Sequence, residues 1–150
     1  MYERYDTTQD ERVLAALAHG SIVIGPLTGG VGGAIAAFLI WLSQRNRSKY
    51  AAFQSLQATV YQLFTIVVLG AIWTCWGVGW LGMTLTPVIV NPGAYEATPP
   101  AGMWIGLLLG LVPLALGALI VLYGLFGAVR CLAGHDFRYA LIGRWLGRRD

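Results

Sequence analysis

Charged residues are scarce in this sequence, and most of its length has none. They make up 11% of the 150 residues, whereas roughly a quarter of the residues in soluble globular proteins are charged. Between positions 13 and 129 the only charges are Arg45, Arg47, Lys49 and Glu96. A water-soluble fold is excluded, because it could not cover so much apolar surface with polar groups. Three long apolar stretches predict instead a membrane protein whose helices face lipid.

The missing charges also limit the chemistry. No Asp, Glu, Lys or Arg lies in the apolar centres of the predicted spans, which argues against ion-coupled transport and acid-base catalysis. The ten basic residues occur at a few predicted membrane edges, a pattern that favours lipid headgroups over nucleic acid. The two cysteines, Cys75 in an apolar run and Cys131 at a membrane edge, disfavour a disulfide or metal site. We therefore expect no enzyme activity, cofactor, metal, nucleic-acid partner or small-molecule substrate.

The apolar stretches predict an all-α, polytopic membrane protein with four transmembrane helices in a single membrane domain. Glycines and a proline interrupt the first stretch at positions 25–33, so its two helices form a short hairpin that either spans or re-enters. One long, tilted helix is the alternative. Thr8 or Asp10 is expected to cap the first helix. The predicted helices cover about residues 10–24, 31–44, 48–81 and 102–132.

The two remaining segments differ in charge, and this difference predicts the orientation. The connection at positions 82–101 is rich in proline and has no base, so we expect an irregular outer loop. The turn at positions 45–49 has three bases, and five more follow from Arg130 onward. The positive-inside rule therefore places both termini in the cytoplasm, with residues 133–150 forming a basic interfacial tail.

Small residues follow one face of the predicted fourth helix. Such a flat stripe lets another helix approach closely, which matters because lipid offers no hydrophobic drive for helix association. The stripe either packs against helices of the same chain or docks a partner subunit or second copy. Its glycines are Gly102, Gly106, Gly110, Gly117 and Gly124.

Polar side chains form a second face, on the predicted third helix. Gln54, Gln57 and Tyr61 are three and four residues apart, so they share one side of a helix. Amides are costly in hydrocarbon, and this face should therefore turn toward protein or an aqueous crevice. It either makes interhelical hydrogen bonds or lines a translocation path. His19, the one histidine in a predicted span, is a candidate functional residue, with structural hydrogen bonding as the alternative.

Three segments taken together resemble a known family. They are ALAH ending at His19, KYAAFQSLQA at positions 49–58 and GHDFRYALIG at positions 134–143. The set resembles the Tic-twenty-like family, which includes a component of the chloroplast inner-envelope import machinery and small bacterial membrane proteins. The resemblance implies a four-helix layout and a link to large membrane assemblies. The positions that match its pattern are His19, Phe53, Gln57, Ala58, Phe137, Tyr139 and Gly143.

Two departures from that family bear on location. Ala140 stands where relatives often have proline, and the acidic N-terminus is unlike a transit peptide. A multi-pass protein of the bacterial plasma membrane is therefore expected. We interpret the chain as a non-enzymatic accessory or structural subunit of a larger membrane complex, in contact with lipids and with other membrane subunits or itself. The alternative is an oligomeric translocation or channel component, as the import family implies.

Overall fold

The computed structural model describes residues 7–95, 101–140 and 142–143, and within these ranges the regular structure is helical throughout. The prediction of an all-α fold is confirmed. A 3-10 segment, Ser21–Leu27, joins the first two helices. The α-helices are α1 (Gln9–Gly20), α2 (Val31–Gln44), α3 (Lys49–Val90), α4 (Ala101–Leu109) and α5 (Leu111–Leu132).

The prediction of four transmembrane helices is wrong in number. Within the described residues, two helical stretches are long and apolar enough to cross a membrane: Lys49–Val90 and Ala101–Leu132. Helices α1 and α2 have 12 and 14 residues. At 1.5 Å per residue they measure about 18 and 21 Å, which is less than the roughly 30 Å of hydrocarbon in a bilayer. The 3-10 segment takes up residues that hydropathy alone assigns to a longer first helix.

The last two predicted helices differ from the observed ones near proline residues. Helix α3 continues past the predicted end at Leu81 to Val90, with Pro87 inside it. A single proline removes one backbone donor, which apolar helices tolerate when neighbouring groups approach closely. The predicted helix over 102–132 is instead divided at Gly110 into α4 and α5. Pro113 explains the break, because it cannot donate to the carbonyl of the preceding turn.

The chain forms two compact units. One contains the residues up to Ile66 together with those from Ile120 onward, and the other is Val67–Leu119. In the second unit, the indole of Trp76 donates to the Gly106 carbonyl (2.9 Å) and that of Trp80 to the Met103 carbonyl (3.1 Å). These bonds join the adjacent parts of α3 and α4 within that unit.

A capping residue and a glycine turn determine where the first two helices begin. Thr8 caps α1 as predicted, since its hydroxyl accepts from the Glu11 amide while the Glu11 carboxylate accepts from the Thr8 amide. Before α2 the chain turns through Gly30, which has φ +91° and lies against Ile66. The predicted tail is described only in part, because residues 144–150 lie outside the described residues, as do residues 96–100 of the predicted loop.

Candidate functional site

Buried polar and aromatic side chains meet in the first unit, from α1, α3, the end of α5 and the chain beyond it. We call this group the His19 cluster. His19, Gln54 and Gln57 are 0% exposed. Polar groups buried to this extent require hydrogen-bond partners, since an unsatisfied one costs about 1–3 kcal/mol. The other members of the cluster are Tyr61, Cys131, Asp136, Phe137 and Tyr139.

A chain of side-chain hydrogen bonds runs through the cluster. At one end Asp136 accepts from the Gln54 amide nitrogen, 2.8 Å away. The Gln54 Oε1 lies 3.1 Å from His19 Nε2, and His19 Nδ1 lies 2.9 Å from the Tyr139 hydroxyl. At its surface end, Asp136 also pairs with Arg138 at 2.9 Å.

The order of these bonds fixes the histidine tautomer. Gln54 donates to Asp136 through its nitrogen and turns its oxygen toward His19. His19 must then donate from Nε2 and accept at Nδ1, with Tyr139 as the donor. Both ring nitrogens of a neutral imidazole are therefore satisfied inside the chain.

The Gln57 side chain forms hydrogen bonds with the backbone of the residues that follow α5. Its amide nitrogen donates to the Phe137 carbonyl (3.1 Å), and its oxygen accepts from the Tyr139 amide (3.3 Å). One side chain thus satisfies a donor and an acceptor of an extended segment, as a neighbouring β-strand would. Two turns earlier on α3, the Tyr50 hydroxyl donates to the His135 carbonyl at 3.3 Å. We call residues 135–139 the clamped segment.

The sequence after α5 explains how the clamped segment reaches α3. Gly134 has φ +75°, and its amide donates to the Cys131 carbonyl while the His135 amide donates to the Arg130 carbonyl. These two bonds form a Schellman motif, which ends a helix and reverses the chain at a left-handed glycine. The residues that follow are thereby directed back over the cluster.

Aromatic rings close the cluster around the imidazole. Tyr61 and Tyr139 stack with centroids 4.0 Å apart, and Phe137 meets the His19 ring edge-on at 5.5 Å. Tyr123 packs edge-on against both Phe137 and Tyr139. Such pairs contribute about 0.5–1.5 kcal/mol each beyond the area they bury. The cluster is therefore a packed core and not an open crevice.

Burial keeps His19 and Tyr139 neutral. His19 lies on α1, outside the two candidate spans, and loss of hydration lowers its pKa from 6.5 to about 4, partly offset by the hydrogen bond to Gln54. Burial also raises the pKa of the Tyr139 hydroxyl, and the nearby Tyr61 adds to the effect. Near pH 7 neither group carries a charge, so both act as fixed hydrogen-bonding groups.

Comparison with known proteins identifies the family. The chain matches the magnetosome magnetite crystal formation protein family, MamF/MmsF, over residues 10–146. The chain belongs to the MamF/MmsF family. This family is one of magnetosome membrane proteins, so the predicted bacterial membrane location is confirmed in its general form. No curated protein and no solved structure shows significant similarity to the chain.

Family membership corrects the expected resemblance. The chain is not a Tic-twenty-like protein, because the MamF/MmsF match covers all three segments on which that resemblance depended. The import-type translocation function that the resemblance implied is therefore not supported. Four of the positions on which the resemblance depended, His19, Gln57, Phe137 and Tyr139, pack together in the His19 cluster.

The predicted polar face of this MamF/MmsF member lies within the cluster. Gln54 and Gln57 bond to His19 and the clamped segment, and the Tyr61 hydroxyl donates to the Ile120 carbonyl at 3.1 Å. All three side chains are buried. The polar face and His19, which were predicted as separate candidate sites, therefore lie in one cluster.

The predicted glycine stripe is divided between the two units. In Val67–Leu119, a Cβ at Gly102 would meet the Met83 carbonyl, and a Cβ at Gly106 or Gly110 would collide with an α3 tryptophan. In the same unit Gly117 has no neighbour within 4 Å. In the first unit, Gly124 lies against Ile22. Four of these glycines therefore contact residues of their own chain.

Sequence reasoning missed several residues of the cluster. A Cβ at Gly127 would lie 2.8 Å from the Phe137 ring and 3.3 Å from His19 Nδ1, so only glycine leaves room there. Gln62 donates to the Ala18 carbonyl and to Ser21, and it lies about 100° around α3 from Tyr61, outside the predicted polar face. It was a usable signal, because a buried amide in a largely apolar helix requires a hydrogen-bond partner.

Within the described residues, no group of three or more His, Cys, Asp and Glu side chains is placed to hold a metal ion. His19 has both ring nitrogens bonded to Gln54 and Tyr139, and Cys131 donates weakly to Gln54 Oε1 at 3.6 Å. This arrangement of hydrogen bonds fixes α1, α3 and the clamped segment to one another.

Proposed function

We propose that the chain is a non-enzymatic accessory or structural subunit of a membrane protein assembly that takes part in magnetite crystal formation. The observation that carries the proposal is the family match over residues 10–146, which includes the His19 cluster. The cluster supports a structural role, because the polar groups of His19 and Gln57 are bonded within the chain. Its chemistry is that of holding helices in place.

The proposed membrane arrangement has two crossings, made by α3 and by α4 with α5. Bases occur around the start of α3, at Arg45, Arg47 and Lys49, and again at Arg130 near the end of α5. The positive-inside rule then favours a cytoplasmic location for both termini. In this arrangement the α1–α2 hairpin lies along the cytoplasmic membrane surface.

The outer face of α2 supports that placement of the hairpin. Ile35, Phe38 and Leu42 are 53%, 44% and 43% exposed, and they follow one another at helical spacing. The small residues Gly33, Ala34 and Ala37 bury the other side of α2 against the chain, which leaves the exposed apolar side to contact acyl chains at the membrane interface. The proposed partners are therefore membrane lipids, together with other membrane subunits or a second copy of the chain.

The function is tested by removing the gene from a magnetite-forming bacterium that carries it and measuring crystal diameters by electron microscopy. A subunit role predicts smaller or irregular crystals and their recovery on complementation. Unchanged crystals would contradict a role in crystal formation. Mild detergent extraction of purified magnetosome membranes, followed by mass spectrometry, tests the assembly separately, and recovery of the chain only as a monomer would contradict a subunit role.

A further inference from the structure

An open cleft lies beside the His19 cluster, between the last turns of α5 and the chain beyond Gly134. Its volume is about 550 Å³. Aromatic side chains form one wall, and two arginines lie on it as well. The hydrogen bonds of the His19 cluster form within the chain, so none of them depends on a molecule bound in this cleft. The lining residues are Phe126, Arg130, Asp136, Phe137, Arg138, Tyr139, Ala140 and Gly143.

The charges of the cleft favour an anion. Arg130 and Arg138 contribute two positive charges, against one negative charge from Asp136. The Asp136 carboxylate is already engaged, since it accepts from Gln54 through one oxygen and from Arg138 through the other. Arg130 is exposed, and within the described part of the chain no acid pairs with it. A guanidinium group in this setting is suited to a phosphate, whose oxygens match its paired donors.

The position of Arg130 points to a lipid as the source of that phosphate. From Leu111 to Val129 helix α5 has no charged residue, and Arg130 is the first, in its last turn. An arginine at the end of an apolar helix lies where lipid headgroups begin. Phe126, one turn earlier on the same face, is 53% exposed. A phosphate at Arg130 would therefore have its acyl chain beside Phe126.

We propose that this cleft binds an anionic phospholipid, with Arg130 holding the phosphate, Arg138 adding positive charge and Phe126 contacting an acyl chain. The site prefers a headgroup whose only charge is the phosphate, such as phosphatidylglycerol. A choline headgroup carries its own cation into the cleft, where it meets two arginines at close range. The preference is thus electrostatic and depends on the arginines.

Native mass spectrometry of the full-length protein tests the site. Protein released from nanodiscs containing equal amounts of phosphatidylglycerol and phosphatidylcholine should retain phosphatidylglycerol. Arg130→Gln should lower that retention about tenfold, as expected for loss of a charged hydrogen bond. Arg45→Gln removes the same charge from a residue that does not line the cleft, and it should retain lipid as the wild type does. Protection of Cys131 from alkylation verifies that each variant is folded.

Three outcomes would overturn the proposal. One is equal retention of the two lipids by the wild type, and another is an equal loss in both variants. The third is displacement of the bound lipid by soluble glycerol phosphate. A site that binds the phosphate alone would not need the apolar wall at Phe126. Failure of these tests would leave the role in crystal formation unaffected, since no crystal is measured.

Discussion

Replacing Gln57 by leucine should loosen the clamped segment while leaving the α3 helix intact. Leucine is of similar size, but it removes the acceptor of the Tyr139 amide and the donor to the Phe137 carbonyl. Each buried backbone group left without a partner costs about 1–3 kcal/mol. Because one of the two bonds is long, at 3.3 Å, we expect a total loss of about 3 kcal/mol in the free energy of opening this segment.

Cys131 reports that opening directly. Its thiol is 0% exposed and lies beside Gln54, so alkylation requires local opening. The exposed Cys75 is first replaced by serine, to leave one reactive position. A loss of about 3 kcal/mol should raise the alkylation rate of Cys131 roughly a hundredfold, since 1.4 kcal/mol corresponds to a factor of ten.

Gln44 supplies the matched control for this prediction. Its side chain makes one hydrogen bond, to the neighbouring Ser43 on the surface, so Gln44→Leu should leave the rate within about twofold of wild type. Equal alkylation rates in Gln57→Leu and Gln44→Leu would refute the reasoning. They would show that the bonds to the clamped segment contribute no net stability.

Two further predictions concern the centre of the cluster. Because burial lowers the pKa of His19 from 6.5 to about 4, stability should be full above pH 6.5 and fall by up to about 3 kcal/mol as the pH drops toward 4. Melting curves of wild type and His19→Gln across this range check it, and identical pH dependence would contradict it. Gly127→Ala should destabilise by about 1–3 kcal/mol through overpacking against Phe137, whereas Gly117→Ala should be neutral or stabilising because that site is open. Equal melting temperatures for the two alanine variants would disprove the close packing.

Local helix geometry made part of the site predictable. Offsets of three and four residues place Gln54, Gln57 and Tyr61 on one face of any α-helix, whatever surrounds it. Their partners could not be predicted in the same way. Gln54 bonds to Asp136, 82 positions away, and Gln57 to Phe137, 80 positions away. Neither pairing follows from periodicity, because both depend on the reversal of the chain at Gly134.

The errors in the predicted fold also have physical causes. Hydropathy measures apolar content and not helix length, so it assigned four crossings although α1 and α2 are too short. Proline was weighted by its usual effect at helix interiors. At Pro87 the backbone of α3 continues, and the missing side chain of Gly102 leaves space next to the Met83 carbonyl, the group that would otherwise accept from position 87. That contact could not be inferred from either position alone.

The central claim is that His19 holds the fold together and does no chemistry in crystal formation. A deletion strain complemented with His19→Gln tests it most directly, since glutamine provides a donor and an acceptor but no imidazole. Where Cys131 protection shows that the variant is folded, we predict crystal diameters equal to those restored by the wild type. A folded variant that fails to restore the crystals would contradict the claim, because the imidazole itself would then be required.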